Sequence, residues 1–218
     1  NPTIADLNPA VYWYLSDGSG NATGSVLAGT TALVNTATYV AVDSLGICES
    51  AVSTEVTVTI YNPTTPTITD ASQEFCALDN PTIADLNPAV YWYLSDGSGN
   101  ATGSVLAGTT ALVDGQTFVA VDSLGICESA VSLAVTVTIY NPTTPTIADA
   151  TQEFCTLDNA TVADLLPATY WYLSDGSGSA IGSVLAGTTL LDSGETYVAV
   201  DSLGICESAV SAEVTVTI

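Results

Sequence analysis

The chain contains no lysine, no arginine and no histidine against 23 acidic residues in 218, for a formal net charge of −23. No side-chain cation is present to pair with a carboxylate. Nothing in this composition neutralises phosphates, so nucleic-acid binding is excluded on charge. Anionic membrane surfaces repel it for the same reason. The missing lysines also rule out Lys–Asn isopeptide cross-links. The missing lysines and arginines leave trypsin-like proteases no preferred bond, an advantage for an exposed, secreted chain. Without histidine or lysine the usual general bases and Schiff-base chemistry are absent, and no Ser-His-Asp triad can be assembled. Paired carboxylates remain a route to glycoside hydrolysis. Every candidate Asp or Glu, however, recurs per repeat or lies in a turn, so no enzymatic activity is expected.

Long apolar runs are lacking too. The run from Ala89 to Leu94 is far too short to span a bilayer. No signal peptide is visible, and the chain opens inside a repeat, so it is expected to be a segment of something longer. What is present is a β-rich composition, 47% hydrophobic with only 11% charged residues. Val, Ala, Thr, Ile and Leu dominate it, unlike a disordered acidic tail.

The chain repeats itself. Trp13, Trp92 and Trp171 recur every 79 residues, as do Cys48, Cys127 and Cys206, and Cys76 and Cys155. A fixed period means one small unit copied in tandem. The expected division is 1–62, an N-terminally incomplete repeat, then complete repeats at 63–141 and 142–218. Within the second repeat, Pro63 and Pro66 mark a stiff linker. Ile68 and then Glu74–Cys76 suggest a first strand, and Pro81–Leu86 a short apolar one. Val90–Leu94 carries the strongest strand signal. Ser95–Asn100 is a turn cluster. Ser104–Leu106 and Thr109–Leu112 read as two short strands. Asp114-Gly115 is a hairpin signal feeding Thr117–Val121. Leu133, Val135, Val137 and Ile139 alternate with Ala134, Thr136 and Thr138. About seven short strands per repeat, with no helical period, predict an all-β class of tandem immunoglobulin-like antiparallel β-sandwiches.

Five cysteines in an array of small domains suggest disulfides and an oxidising compartment. Two periodic pairings fit. Cys76–Cys127 and Cys155–Cys206 lie within repeats, whereas Cys48–Cys76 and Cys127–Cys155 cross the linkers. The first set is preferred, because it reproduces a Cys…Trp…Cys order around Trp92 and ties an early strand to a late one. Cys48 then has its partner outside the chain, at position −3 just before Asn1, or stands as a free or intermolecular thiol.

Phe75-Cys76, Trp92-Tyr93 and Gly125-Ile126-Cys127-Glu128-Ser129, with their equivalents in the third repeat, resemble the immunoglobulin-like repeats of giant Bacteroidetes cell-surface and gliding-motility adhesins, which are type IX secretion substrates. The resemblance covers essentially all of both complete repeats. It departs at the family's Cys-Glu-Ser-x-Arg, where this chain has Ala130 and Val131. It implies a structural stalk of a secreted, extracellular, cell-surface adhesin. The implied partners are neighbouring repeats of the same long chain, a surface or glycan target at a distal region, and the outer-membrane secretion and motility machinery. No nucleic acid and no membrane insertion are expected. The alternatives are a carbohydrate-binding repeat array and a subunit of a self-assembling extracellular filament.

The Asp-Ser-Leu at 43–45, 122–124 and 201–203 resembles the O-glycosylation motif of secreted Bacteroidetes proteins, making Ser44, Ser123 and Ser202 acceptor candidates. The plainer reading is a turn capped by Asp and Ser. Asn21, Asn100 and Asn159 match the N-glycosylation acceptor pattern, whose use in bacteria is rare. Asp17, Asp96 and Asp175 open turns with alternating oxygen ligands. No cofactor and no metal site are expected, and Ca2+ is the only ion these turns suggest; a plain turn is the preferred reading because calcium loops need more carboxylates. Tyr12, Tyr14, Tyr91 and Tyr93 flank the tryptophans, as an exposed carbohydrate-binding strip or, more commonly, as a cover for the outer face of the sheet.

Overall fold

A computed structural model of the chain describes residues 1–218. It is all-β, with only single 3-10 turns besides strands. The first repeat holds β1 (Tyr12–Ser16), β2 (Ala22–Thr23), β3 (Thr38–Val42), β4 (Ser44–Leu45), β5 (Cys48–Glu49) and β6 (Val56–Thr57). The second holds β7 (Ser72–Cys76), β8 (Tyr91–Ser95), β9 (Ala101–Thr102), β10 (Thr117–Val121), β11 (Ser123–Leu124), β12 (Cys127–Glu128) and β13 (Val135–Tyr140). The third holds β14 (Thr151–Glu153), β15 (Tyr170–Ser174), β16 (Ala180–Ile181), β17 (Thr196–Val200), β18 (Ser202–Leu203), β19 (Cys206–Glu207) and β20 (Val214–Thr217).

Each repeat builds one main sheet. The order is β7-β13-β10-β8-β9 in the second repeat and β14-β20-β17-β15-β16 in the third, but only β2-β1-β3-β6 in the first. Pairing is antiparallel except at one edge, where β7 lies parallel to β13 and β14 to β20. All three sheets and their cores keep within the ranges 1–62, 63–141 and 142–218. Spatial compactness groups the residues differently. One unit is Asn1–Pro63 with Ser123–Glu128, and the other is Thr64–Asp122 with Ser129–Ile218.

The core follows from strand alternation. In the second repeat Trp92 opposes Ala120 and Leu94 opposes Phe118 across β8 and β10, so all four point to one face. Val135 and Val137 join them from β13, and Ile83, Leu86 and Leu112 close the cluster from the opposite layer. Each of the valine, leucine, isoleucine and phenylalanine side chains, where fully buried, contributes roughly 1.5–3 kcal/mol. Val119 and Val121 face the other way and are buried as well, and the chain beyond β12 returns to pair with β10. Ser132 there donates its N–H to the Ala120 carbonyl and accepts from the Ala120 N–H, both at 2.9 Å. Burial on both faces is why β10 reads Phe-Val-Ala-Val after Thr117.

Three sequence expectations are corrected here. The segment 81–86 is not a strand: Ile83–Asp85 is a 3-10 turn. Asp85 accepts from the Thr82 N–H at 2.8 Å and the Thr82 hydroxyl at 2.9 Å, and Thr-Ile-Ala-Asp is a capping sequence. Segments 104–106 and 109–112 form no strands, only a single bridge from Thr82 to Ala111 and a bond from the Leu106 N–H to the Trp92 carbonyl. Leu133 lies outside its strand and is 75% exposed, because Ser132 has already anchored the preceding residues to β10.

Candidate functional site: hairpins seated on a neighbouring repeat

Between the last two main-sheet strands of each repeat, the chain throws out a small two-stranded ribbon. Leu124 pairs with Cys127, and Leu203 with Cys206, leaving two-residue loops Gly125-Ile126 and Gly204-Ile205. Both glycines take left-handed angles, φ 62° and 60°, which this tight turn requires. Their second role is close approach. A Cβ at Gly204 would overlap the ring of Tyr140, and a Cβ at Gly125 would overlap the ring of Tyr61. Each ribbon tip thus presses against a tyrosine at the end of the preceding repeat.

In the larger unit this seat is covalent. Cys76, the last residue of β7, is paired in register with Tyr140. Its sulfur is bonded to Cys206 in the ribbon of the third repeat, with S–S 2.03 Å and Cα–Cα 5.4 Å. Tyr140 also donates its hydroxyl to Glu74 at 2.9 Å. That bond, helped by desolvation, raises the Tyr140 phenol above its ordinary value. The neighbouring ribbon strand is tied to its own sheet: Tyr172 donates to Glu207 at 2.9 Å, and Ser208 exchanges bonds with Asp201 at 2.8 and 3.0 Å.

The expected disulfides Cys76–Cys127 and Cys155–Cys206 are therefore replaced by one bond, Cys76–Cys206, across 130 residues. The physical reason is the ribbon. It projects its cysteine toward the adjoining repeat, while the opening strand ends its own cysteine at the sheet edge facing that ribbon. Cys48, Cys127 and Cys155 are free thiols. A cysteine spacing alone carries no signal for this arrangement; the apolar Leu-Gly-Ile before Cys48, Cys127 and Cys206 was the available hint.

Ser44, Ser123 and Ser202 all sit on the first strand of these ribbons. Asp43 and Asp201 accept from the N–H groups of Ser44 and Ser202 at 2.8 and 2.9 Å, so the Asp-Ser pair caps the ribbon start. Asp17 and Asp96 each close on their own loops. Asp17 accepts from the Asn21 amide side chain at 2.8 Å and the Ser19 N–H at 2.7 Å, and Asp96 does the same with Asn100 and Ser98. Those side-chain and backbone bonds hold both carboxyls below their ordinary value. Asp175 is lowered likewise, first by Ser177. No three Asp, Glu or Cys side chains gather as a metal site would need. Asn21 and Asn100 close these loops, while Asn159 takes a left-handed φ of 48° after a 3-10 turn.

The tyrosines divide. Tyr14 and Tyr172 reach the ribbon glutamates Glu49 and Glu207, whereas Tyr12, Tyr91 and Tyr170 are each 49% exposed. A cleft of about 560 Å³ lies beside Tyr170 and Trp171, and one of about 370 Å³ occupies the same place beside Tyr91 and Trp92.

No protein-family model matches this chain, and no curated protein matches it either.

Proposed function

We propose that this chain is a spacer: a segment of a long, extracellular stalk of immunoglobulin-like repeats that carries a binding region away from a cell surface and bears load. The observation that carries this reading is the Cys76–Cys206 bond between consecutive repeats. Cys127 and Cys155 both lie inside the loop it closes. In an array where the bond recurred with the 79-residue period, successive loops would overlap, and tension would pass from disulfide to disulfide through short lengths of backbone. A protein whose work is chemistry or recognition gains little from that layout, whereas a tether under drag gains directly. The charge of −23 acts in the same direction, since like-charged repeats repel, most strongly at low salt.

Pulling single molecules from their two ends tests the reading. The oxidised chain hides the 130-residue separation from Cys76 to Cys206 from the force, about 440 Å of contour at ~3.4 Å per residue. Added reductant releases that length. Equal contour lengths with and without reductant would contradict a load-bearing staple.

The recurring cleft beside Trp92 and Trp171, with a half-exposed tyrosine at its rim, favours a second reading, a repeated carbohydrate-binding face. Saturable binding on a glycan array, lost in Tyr91→Ala and Tyr170→Ala, would support it against the spacer.

A further inference from the structure

One face of the repeat stays bare whatever stands beside it. Tyr12, Tyr91 and Tyr170 are equally exposed in the three repeats, and Val26, Val105 and Val184 nearly so, at 44, 42 and 41%. The second repeat has one repeat before it and one after it, yet its cleft beside Tyr91 is open all the same. The exposure therefore belongs to the repeat itself.

The third repeat adds polar groups to this apolar wall. Its cleft of about 560 Å³ adjoins another of about 280 Å³, and Ala168, Thr169 and Asp201 line both. The smaller cleft is walled on its other side by the exposed linker threonines Thr143, Thr144 and Thr146. Strand pairing places the shared residues. Tyr170 lies opposite Val200, the Thr169 hydroxyl donates to the Val200 carbonyl, and Asp201 follows at once. Asp201 Oδ1 accepts from the Ser202 N–H at 2.9 Å, which leaves Oδ2 to solvent. The first and second repeats have Val11 and Val90 where the third has Thr169. The cleft of the second repeat is lined by Val90 without Asp122.

A threonine hydroxyl both donates and accepts, and four of them stand here beside an apolar wall and a half-exposed tyrosine ring. A sugar ring divides in the same way, with hydroxyls around its rim and C–H groups on its faces. Charge narrows the choice. Asp201 is the only carboxylate lining the two clefts, and the chain has no Lys, Arg or His. An acidic or sulfated sugar finds no counter-charge and is repelled by the net −23. A sugar ammonium finds a carboxylate with no competing cation, and such charge-assisted bonds are the stronger ones.

We infer that the third repeat carries a subsite for an amino sugar. The C–H face of the ring lies on Tyr170 and Val184, its hydroxyls bond the threonines of the linker and Thr169, and its ammonium meets Asp201 Oδ2. The inference rests on the carbohydrate reading of these clefts and narrows it to one class of sugar and one repeat.

The probes are a β-linked glucosamine trimer, its N-acetylated counterpart and a glucose trimer, each titrated into the full isotope-labelled chain in mildly acidic buffer and followed by amide chemical shifts. The glucosamine trimer should shift Thr144, Thr169, Tyr170 and Asp201, at one molecule per chain. It should bind about fivefold more tightly than the neutral trimers, the size expected of an exposed ion pair. Asp201→Asn keeps an oxygen for the Ser202 N–H and should bring the three sugars level. Glu195→Gln removes an exposed carboxylate elsewhere in the same repeat and should leave the preference intact. Thr169→Val should weaken all three sugars.

Equal binding of the charged and neutral trimers to the unaltered chain would overturn the inference and leave the carbohydrate reading standing. No shift with any sugar would overturn both. Equal losses in Asp201→Asn and Glu195→Gln would reduce the preference to attraction by the net charge and overturn the inference. So would a lysine-containing peptide that shifts these amides where the glucosamine trimer does not, since the occupant would then be a protein segment. None of those results bears on the extension measurement that tests the spacer reading.

Discussion

The first and second repeats are near-copies in sequence, yet the second has an opening strand, β7, along β13, whereas the first, N-terminally incomplete, has none beside β6. The first buries Ile4, Trp13, Tyr39, Ala41 and Val58. The second buries eight residues, with Phe75 and Ile68 packed against them from the opening strand and the linker before it. The sheet residues that differ in burial are the same amino acids. Val56 and Val135 differ only in whether a strand lies beside them. Identical residues therefore take their environment from an edge strand and not from their own propensity, as β-structure generally does. The contrast also separates two kinds of contact. Trp13, Trp92 and Trp171 each donate the indole N–H to the carbonyl of a proline four residues back, at 3.1, 3.2 and 3.2 Å, so the centre of the unit forms whether or not the edge is complete.

That comparison breaks most visibly at the disulfide. Cys206→Ser should destabilise the second and third repeats by about 5 kcal/mol on the chain-entropy account of a 130-residue loop, and leave the first unchanged. Hydrogen exchange resolved by repeat measures both. The next largest effect is a paired truncation. Val135→Ala should cost roughly 2 kcal/mol, the lost transfer energy plus a cavity, whereas Val56→Ala should cost under about 0.5 kcal/mol as a surface change. Urea unfolding of the two variants would show equal losses only if the edges were equivalent.

A smaller test concerns the turn after the tryptophan strand. Glu55 and Glu213 clamp it, accepting from Ser16 and Ser174 and from the N–H groups of Gly20 and Gly178 at 3.1 Å. The second repeat has Ala134 at this place. Ala134→Glu should gain about 1 kcal/mol for the added bonds, read as a rise in the unfolding midpoint.

Smallest is the effect of pH. Asp6, Asp85 and Asp164 are held below their ordinary value of 3.8, first by the backbone N–H of Thr3, Thr82 and Thr161. A carboxyl depressed on folding adds stability that is present above the unfolded value and lost as pH falls through the folded one. Stability should thus be level above about pH 5 and decline below 3.8. The three Asp→Asn variants should flatten that decline equally in all repeats, since the caps do not involve the missing edge. Phenol pKa values work at the other end. Tyr140 is raised by its glutamate bond and then desolvation, and Tyr172 by desolvation and then its glutamate bond, so their contribution is full below pH 10 and is lost as pH rises above it.

Much of this was legible in the residues. The Tyr-Trp-Tyr-Leu and Thr-Phe-Val-Ala-Val strands announce themselves by β-branched and aromatic content. The 79-residue period places seven strands in each complete repeat. What was not legible has a common cause. Thr-Ile-Ala-Asp is apolar enough to read as a strand, but Asp85 folds back on Thr82 and makes a 3-10 turn. The cysteines reveal a period without revealing direction, since a pairing within a repeat and one between repeats use the same residues. Only the outward course of the ribbon, set by two glycines, decides between them. The turns opened by Asp17, Asp96 and Asp175 and the Asp-Ser pairs at 43–44 and 201–202 were legible in sequence because they are local, and each aspartate bonds within its own turn.

The measurement that meets the central claim most directly is peptide mapping of the unreduced chain, cut at its acidic and aromatic residues because trypsin has no site. A cross-linked fragment joining Cys76 to Cys206, with Cys48, Cys127 and Cys155 carrying alkyl label, is the predicted result. Fragments joining Cys76 to Cys127 and Cys155 to Cys206 would return each bond to its own repeat and remove the covalent tie between neighbours.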